Sequence, residues 1–195
     1  MQSLEKFKNK YRIKSIRKEG YDYSQIGSYF VTICTKDRIE YFGEIIRSKV
    51  NLSEIGAITL KCWKEISNHF PHVMLDEFVI MPNHIHGIIM IVENPNVRMQ
   101  PIAETQNFAF LPGYKNKFGP QSKNLSSIVR GFKIGVKKYA TINNIDFKWQ
   151  SGFYDHIIRN DHEFSRIQKY ILENPLKYET ERNNNSDMHM MQTYN

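Results

Sequence analysis

The sequence predicts an α+β domain of the split-βαβ, ferredoxin-like (RRM-like) kind, with helices on one face of an antiparallel four-stranded sheet. Short apolar runs rich in β-branched and aromatic residues alternate with amphipathic stretches of helical period, in the order β-α-β-β-α-β-α. A chain of 195 residues with 41% hydrophobic residues also has enough apolar material for one core. The last helix is additional to the six-element pattern, and the second face of the sheet is expected to be free.

The four strands are predicted from runs that favour extended backbone. The first run, 29–34, consists of aromatic, β-branched and apolar residues. Two longer apolar runs, 73–81 and 85–92, are separated by a Pro-Asn pair and predict two buried strands joined by a short turn. The extended segment 147–158 supplies the fourth strand.

The helices are predicted from apolar residues that recur at helical period, over 51–70, 124–140 and 160–174. The first and the last begin with an asparagine and have glutamate three residues later, at Asn51 and Asn160, which is capping-box spacing. The last helix is expected to stop at Asn174, because the residue before Pro175 resists helical geometry.

Three segments fall outside this pattern. Residues 1–20 form a basic N-terminal arm, and residues 94–121 form a long loop in which periodicity disappears. Residues 179–195 are polar and asparagine-rich, which predicts a disordered tail. One domain is therefore expected over 21–178.

The positive charge of the chain is localised. The formal net charge is +7, and lysine and arginine far outnumber aspartate and glutamate in residues 1–20 and 121–159. On the second predicted helix, Arg130, Lys133 and Lys137 form one stripe at positions i, i+3 and i+7. Clustered positive charge is the footprint expected for a polyphosphate partner such as nucleic acid.

The remaining composition favours the cytoplasm. No apolar run approaches the roughly 18 residues of a membrane span, and the polar N-terminus lacks the apolar segment of a signal peptide. Cys34 and Cys62 lie in apolar contexts without metal-type spacing, and we interpret them as reduced core thiols. No membrane partner is expected.

The sharpest motif is a histidine pair at the start of the third predicted strand. Alternate strand residues point to one face, roughly 6.6 Å apart, so His84 and His86 can reach one cation while Ile85 points into the core. Gly87 is expected to leave the site uncrowded. A single histidine is more often a surface or core residue, but an alternating pair at a strand end favours metal binding.

The last helix offers further groups for such a site. Tyr170 and Asn174 lie one turn apart on the margin of its apolar face. A hydroxyl nucleophile and an amide-oxygen ligand in that arrangement could both address one metal-bound phosphate. Spacing alone favours simple packing roles for both residues.

The sequence resembles the single-tyrosine transposases of the HUH superfamily, and most closely the REP-associated tyrosine transposases. His84-Ile85-His86 matches the HUH motif, in which U is a bulky hydrophobic residue, and 169–175 matches the tyrosine helix that ends in Asn-Pro. The resemblance extends over about residues 10–178, and its other matching segments are 20–24, 128–133 and 149–159. A lone HxH is a weak motif, whereas these segments in this order are specific.

The resemblance implies a metal-dependent single-stranded DNA endonuclease and strand transferase. His84, His86 and Asn174 would hold Mg²⁺ or Mn²⁺, and Tyr170 would attack the scissile phosphate to give a 5′-phosphotyrosine and a free 3′-hydroxyl. Hairpin or palindromic repeat DNA would be the partner, in the bacterial cytoplasm at the nucleoid, and a monomer or a homodimer is left open. The residues expected to contact DNA are Arg130, Lys133, Lys137, His156 and Arg159.

Alternatives remain at the level of sequence. Tyr154 is a second candidate nucleophile, but it lies in an extended segment without a ligand one helical turn away. A replication initiator or relaxase would share the histidine pair, although initiators often have lysine where this chain has Glu173, and relaxases usually offer a third histidine. A non-catalytic nucleic-acid-binding module on the same fold would neither bind manganese nor form a covalent DNA adduct.

Overall fold

The computed structural model describes residues 20–93 and 123–192. Side chains are described as far as residue 180, and residues 181–192 are described by their backbone. The predicted arm up to residue 19 and the predicted loop 94–121 lie outside the described residues. The elements are β1 (Gly27–Cys34), β2 (Gly43–Ile46), β3 (Lys49–Leu52), α1 (Glu54–Lys64), α2 (Ile66–His69), β4 (Val73–Met81), β5 (His84–Ile91), α3 (Leu125–Ile142), β6 (Tyr154–Ile158) and α4 (Asp161–Gln192).

The main sheet has the predicted architecture. Its strand order is β4-β5-β1-β6, and every neighbouring pair is antiparallel. The α+β class and the four-stranded antiparallel sheet are therefore confirmed. Within the described part of the chain, no helix is long and apolar enough to cross a membrane.

One face of the sheet packs against α1 and α3. Tyr29, Ile33 and Ile85 point into this core and are fully buried together with Trp63 of α1. Gly87 faces the same side, where an added Cβ would come within 2.3 Å of the Trp63 ring. The expectation that Gly87 keeps the histidine site open is therefore wrong, because alternation along β5 directs its α-hydrogens toward the core instead.

The opposite face is covered by α4. Ile167 and Ile171 of this helix pack on Ile88 and Met90 of β5, with Phe30 beside them. The expectation of a free second face is therefore wrong, because an amphipathic helix must bury its apolar stripe and this face is where it does so. As a result, the even-numbered residues of β5 lie in the seam between sheet and helix.

The tyrosine helix continues past the proline. Pro175 lies inside α4, which runs to Gln192, so the predicted end at Asn174 is wrong, and residues 179–192 of the predicted disordered tail are helical. An internal proline removes one backbone donor but does not forbid a helix that tertiary contacts support. Two such contacts of 2.6 Å follow it, from the Tyr178 hydroxyl to Glu40 and from the Ser48 hydroxyl to Glu179.

Two local predictions also differ from the structure. Asn51 lies in the β2–β3 hairpin, and the cap of α1 is Ser53, whose hydroxyl oxygen accepts a hydrogen bond from the Gly56 amide at 3.1 Å. Both residue types cap helices, but the Ser53 hydroxyl also donates to the Tyr41 carbonyl at 2.6 Å, which fixes it in place. The strand predicted over 147–158 is shorter, since ladder pairing with β1 involves Tyr154–Ile158.

Candidate active site

The histidine pair opens β5 and points toward α4. His84 and His86 are both buried, and their Nε2 atoms lie 3.1 Å apart. Extended backbone causes this, because the intervening Ile85 is directed into the core on the other face. The structure therefore brings two imidazole nitrogens to one point.

The other ring nitrogens fix how the two imidazoles are oriented. His84 Nδ1 donates to Asn83 Oδ1 at 2.7 Å, which leaves a lone pair on its Nε2. His86 Nδ1 lies 2.9 Å from the Thr32 hydroxyl, and Phe30 stacks on the His86 ring with centroids 5.3 Å apart. Such outer contacts are what hold metal-binding histidines in one orientation.

Burial keeps both histidines neutral. Loss of solvation lowers the pKa of His84 to about 4, and the positive charge of Arg38 acts in the same direction. Loss of solvation also lowers the pKa of His86 to about 3, with His84 and Arg38 as smaller contributors. Neutral imidazole is the form that binds a metal, so the pair is ready to ligate at physiological pH.

Tyr170 of α4 reaches the pair. Its hydroxyl lies 3.3 Å from His86 Nε2, and its ring meets the rings of His86 and Phe30 edge-on. The side chain is still 40% exposed, so a large substrate could approach the hydroxyl. Lys177 Nζ lies 5.7 Å from the centroid of the same ring.

Asn174 belongs to the buried stripe of α4. It follows Ile167 and Ile171 at helical spacing, and all three side chains are buried toward the sheet. Asn174 is also one turn beyond Tyr170. The helix therefore presents an amide and a hydroxyl to the seam that contains the histidines.

The geometry of the pair fits a divalent cation. Two ligands at right angles, each about 2.1 Å from an octahedral cation, lie about 3.0 Å apart, close to the observed nitrogen separation. Among the described residues, no group of three or more histidine, cysteine, aspartate or glutamate side chains could hold a metal. The buried Asn174 amide is a neutral oxygen donor on the same side of α4 as the histidine pair.

Two of the predicted DNA contacts are used inside the protein. The Lys133 ammonium donates to the carbonyls of Gln150 and Gly152, and the Lys137 ammonium donates to the Phe147 carbonyl at 2.7 Å. Burial also lowers the pKa of Lys133 to about 8. These two lysines therefore brace the segment before β6, although Lys137, like Arg130 of the same stripe, remains exposed.

His156 likewise has an internal partner. Its Nε2 lies 2.7 Å from Glu163 Oε1, and the second carboxylate oxygen accepts from the Arg159 amide at 2.9 Å. The Glu163 amide in turn donates to Asn160 Oδ1 at 2.8 Å, which confirms the predicted cap of this helix. His156 thus ties β6 to the beginning of α4, whereas the Arg159 side chain is exposed.

Several residues of the site were missed in the sequence. Asn83 could have been found, because it is adjacent to His84 and an amide is a common partner of a metal-binding histidine. Thr32 and Phe30 could not, because they reach His86 only through the pairing of β1 with β5. The structure also distinguishes the two candidate tyrosines. Both line one cleft, but the Tyr170 hydroxyl lies 3.3 Å from His86 Nε2, whereas Tyr154 lies two strands away from His86.

Comparison with known proteins agrees with this fold. No family model matches the chain. A Haemophilus influenzae protein of uncharacterised function is 40% identical over 174 residues, which cover 87% of this chain and 91% of that protein. A second protein of that bacterium, named a candidate REP-associated tyrosine transposase, is 27% identical over 158 residues, or 80% of this chain and 74% of its own.

A solved structure shares the fold. It is described as a REP-associated tyrosine transposase bound to a REP hairpin, and it has a TM-score of 0.53 at 18% identity, covering 83% of this chain and 74% of its own. The fold, the related sequences and the order of histidine pair and tyrosine helix point the same way. The chain is therefore similar in sequence and in fold to REP-associated tyrosine transposases.

Proposed function

We propose that the protein is a transposase that cuts and rejoins single-stranded DNA through a 5′-phosphotyrosine intermediate, in a reaction that depends on a divalent metal. The observation that carries this proposal is the 3.3 Å approach of the Tyr170 hydroxyl to the buried, neutral histidine pair. The 27% identity to a candidate REP-associated tyrosine transposase supports a role in transposition. Neither a packing tyrosine nor a core histidine pair needs this arrangement.

His84, His86 and the amide oxygen of Asn174 would hold the metal. Mg²⁺ or Mn²⁺ at this position supplies Lewis-acid polarisation of the scissile phosphate. Asn83 and Thr32 keep the two imidazoles in their ligating orientation. Mixed nitrogen and oxygen ligands are softer than magnesium usually prefers, so manganese should also activate well.

Tyr170 acts as the nucleophile. Its hydroxyl oxygen forms a bond to phosphorus, and the bond between phosphorus and the 3′-oxygen breaks. The tyrosine loses its proton, and the departing oxygen gains one as a free 3′-hydroxyl. Because the phosphodiester energy is kept in the phosphotyrosine, a second 3′-hydroxyl can reverse the step and join strands without a nucleotide cofactor.

The proposed substrate is hairpin or palindromic repeat DNA. The related solved structure is described with a REP hairpin, and the exposed cations Arg130 and Arg159 provide phosphate contacts outside the seam. Lys133, Lys137 and His156 act mainly by fixing the surface that carries these contacts. Such a substrate places the protein at the nucleoid of a bacterial cytoplasm.

The test is incubation of the protein with labelled hairpin DNA and Mn²⁺, followed by a denaturing gel. We expect a covalent protein–DNA band that is absent with Tyr170→Phe and without metal. Tyr154→Phe is the matched control and should retain the band. A band that persists in Tyr170→Phe and disappears in Tyr154→Phe would reverse the assignment of the nucleophile, and the absence of any metal-dependent adduct would favour a non-catalytic binding module.

A further inference from the structure

The cleft between α4 and β6 contains Tyr170 in its wall, but the chemistry described above gives its other lining residues no role. We propose that it binds an unpaired nucleotide next to the scissile phosphate, with Tyr154 as the stacking surface for the base and cations of α4 as contacts for the backbone. This inference rests on the proposed function and deepens it, because it assigns a path to the single strand that enters the site.

The cleft has the size of a small-ligand site. Its volume is about 510 Å³, within the range of roughly 300–1,000 Å³ that such sites occupy. Phe30, Tyr154 and His156 line it on the sheet side, and Tyr170 lines it on the helix side. The proposed nucleophile is thus part of its wall, so a ligand here is continuous with the reacting phosphate.

Tyr154 is placed to stack on a base. It lies on the edge strand β6 and is 44% exposed. Strand pairing sets Tyr154, Thr32 and His86 in one row across β6, β1 and β5, so Tyr154 lies two strand spacings, or about 10 Å, from the histidine. An exposed aromatic ring at that distance suits the base of a neighbouring nucleotide, since stacking on aromatic side chains is how single strands are bound without regard to sequence.

The opposite wall is positively charged. Arg166, Lys169 and Lys177 of α4 line the cleft, and Glu173 is the single carboxylate among the described residues that line it. Glu173 lies between the two lysines, 3.7 Å from Lys169 Nζ and 3.0 Å from Lys177 Nζ. The cations remain in excess, and the carboxylate restrains both ammonium groups along the helix.

Together the two walls select one class of ligand. A ring on one side and cations on the other match a base and its phosphates, which is the combination found in sites for single-stranded nucleic acid. A paired base would have its faces covered by its own duplex neighbours, so the ligand must be unpaired. Lys177 lies over the Tyr170 ring, which brings the cationic wall up to the reacting group.

The experiment uses an oligothymidylate about 12 nucleotides long that carries 5-iododeoxyuridine, with the full chain and three forms of position 154. Irradiation at long wavelength links this base to an aromatic ring stacked on it, and the linked peptide is identified by mass spectrometry. We expect a crosslink at Tyr154. Affinity should be retained in Tyr154→Phe, which keeps the ring, and should fall about fivefold or more in Tyr154→Leu, which keeps the apolar bulk alone.

The results separate this inference from the proposed function. Crosslinks elsewhere with none at Tyr154, or equal affinity of the leucine and phenylalanine variants, would overturn the nucleotide site. The Tyr170-dependent adduct on hairpin DNA would still form in that case. If the Tyr154 crosslink forms but the Tyr170 adduct does not, the nucleotide site is supported and the proposed nuclease function is contradicted.

Discussion

At the scale of single residues, the site is organised by side chains that form hydrogen bonds to the two histidine rings. Thr32 and Asn83 each hold one Nδ1 atom, so both Nε2 atoms converge 3.1 Å apart beneath α4. Burial in the seam between sheet and helix removes the solvent around the imidazoles and keeps them neutral. The orientation of the pair therefore comes from hydrogen bonds, and its ionisation state comes from burial.

We expect Thr32→Val to weaken Mn²⁺ binding by about 10- to 100-fold, because valine has the shape of threonine but cannot hold His86 Nδ1. Calorimetric titration of the purified variant measures this directly. Thr141→Val is the matched control, since that hydroxyl donates to the Lys137 carbonyl on the exposed side of α3. Equal Mn²⁺ affinities for the two variants would show that Thr32 does not orient His86 for metal binding.

The stability of the metal-free protein should depend on pH through the same pair. The pKa values of about 4 for His84 and about 3 for His86 lie below the ordinary value near 6.5 that applies in the unfolded chain. At a pH between the folded-state and unfolded-state pKa values, the unfolded chain binds more protons than the folded protein. The free energy of unfolding is therefore at its full value above pH 6.5 and decreases as the pH falls toward 3. Each histidine contributes a slope of up to about 1.4 kcal/mol per pH unit.

Urea denaturation at several pH values between 4 and 7 measures that slope. We expect it to become shallower in His84→Gln, which removes one of the two buried titrating groups. Thr141→Val, which leaves both histidines in place, is the control and should leave the slope unchanged. An unchanged slope in His84→Gln would contradict a neutral buried pair.

At the scale of secondary-structure elements, β5 has different requirements on its two faces. Its even positions His84 and His86 form the site, while Gly87 on the other face admits the Trp63 ring of α1. The close packing of α1 on this strand fixes the start of β5 relative to the helices. An added side chain at residue 87 would therefore disturb the core directly and the site only through the strand.

We expect Gly87→Ala to destabilise the fold by about 1–3 kcal/mol, because its Cβ would lie 2.3 Å from the Trp63 ring. Gly135→Ala in α3 is the matched control, since its nearest contact is Cys62 Sγ at 3.4 Å, and alanine there should stabilise the helix by about 0.5–1 kcal/mol. Urea unfolding compares the two variants. A neutral Gly87→Ala would show that Trp63 can move aside at little cost.

The α3 stripe should divide into one binding residue and one structural residue. Arg130→Ala should weaken hairpin binding and reduce the slope of log affinity against log salt by about 0.7–0.9, with little change in stability. Lys133→Met should lower the urea midpoint instead, because it leaves the carbonyls of Gln150 and Gly152 without their donor. Similar effects of both variants on the salt slope would indicate that Lys133 also contacts DNA.

At the scale of the whole molecule, the sequence predicts how side chains are placed within one strand or helix, because that depends on local periodicity. It does not predict which elements pack against each other. Alternation around Ile85 places both histidines on one face, and helical spacing places Tyr170 and Asn174 one turn apart. That α4 lies on the second face, and continues beyond Pro175, depends on contacts with Ile88 and with residues of the β2–β3 region. Local sequence patterns do not specify these contacts, because they join residues that are far apart in the chain.

The central claim is that Tyr170 becomes covalently linked to DNA, and mass spectrometry of the adduct tests it most directly. After reaction with hairpin DNA and Mn²⁺, nuclease treatment would leave a phosphonucleotide on the attacking residue, and trypsin would separate the candidates. Cleavage after Lys169 and Lys177 yields peptide 170–177, whereas Tyr154 falls in peptide 149–159. The added mass is expected on peptide 170–177, and its appearance on peptide 149–159 instead would contradict the account.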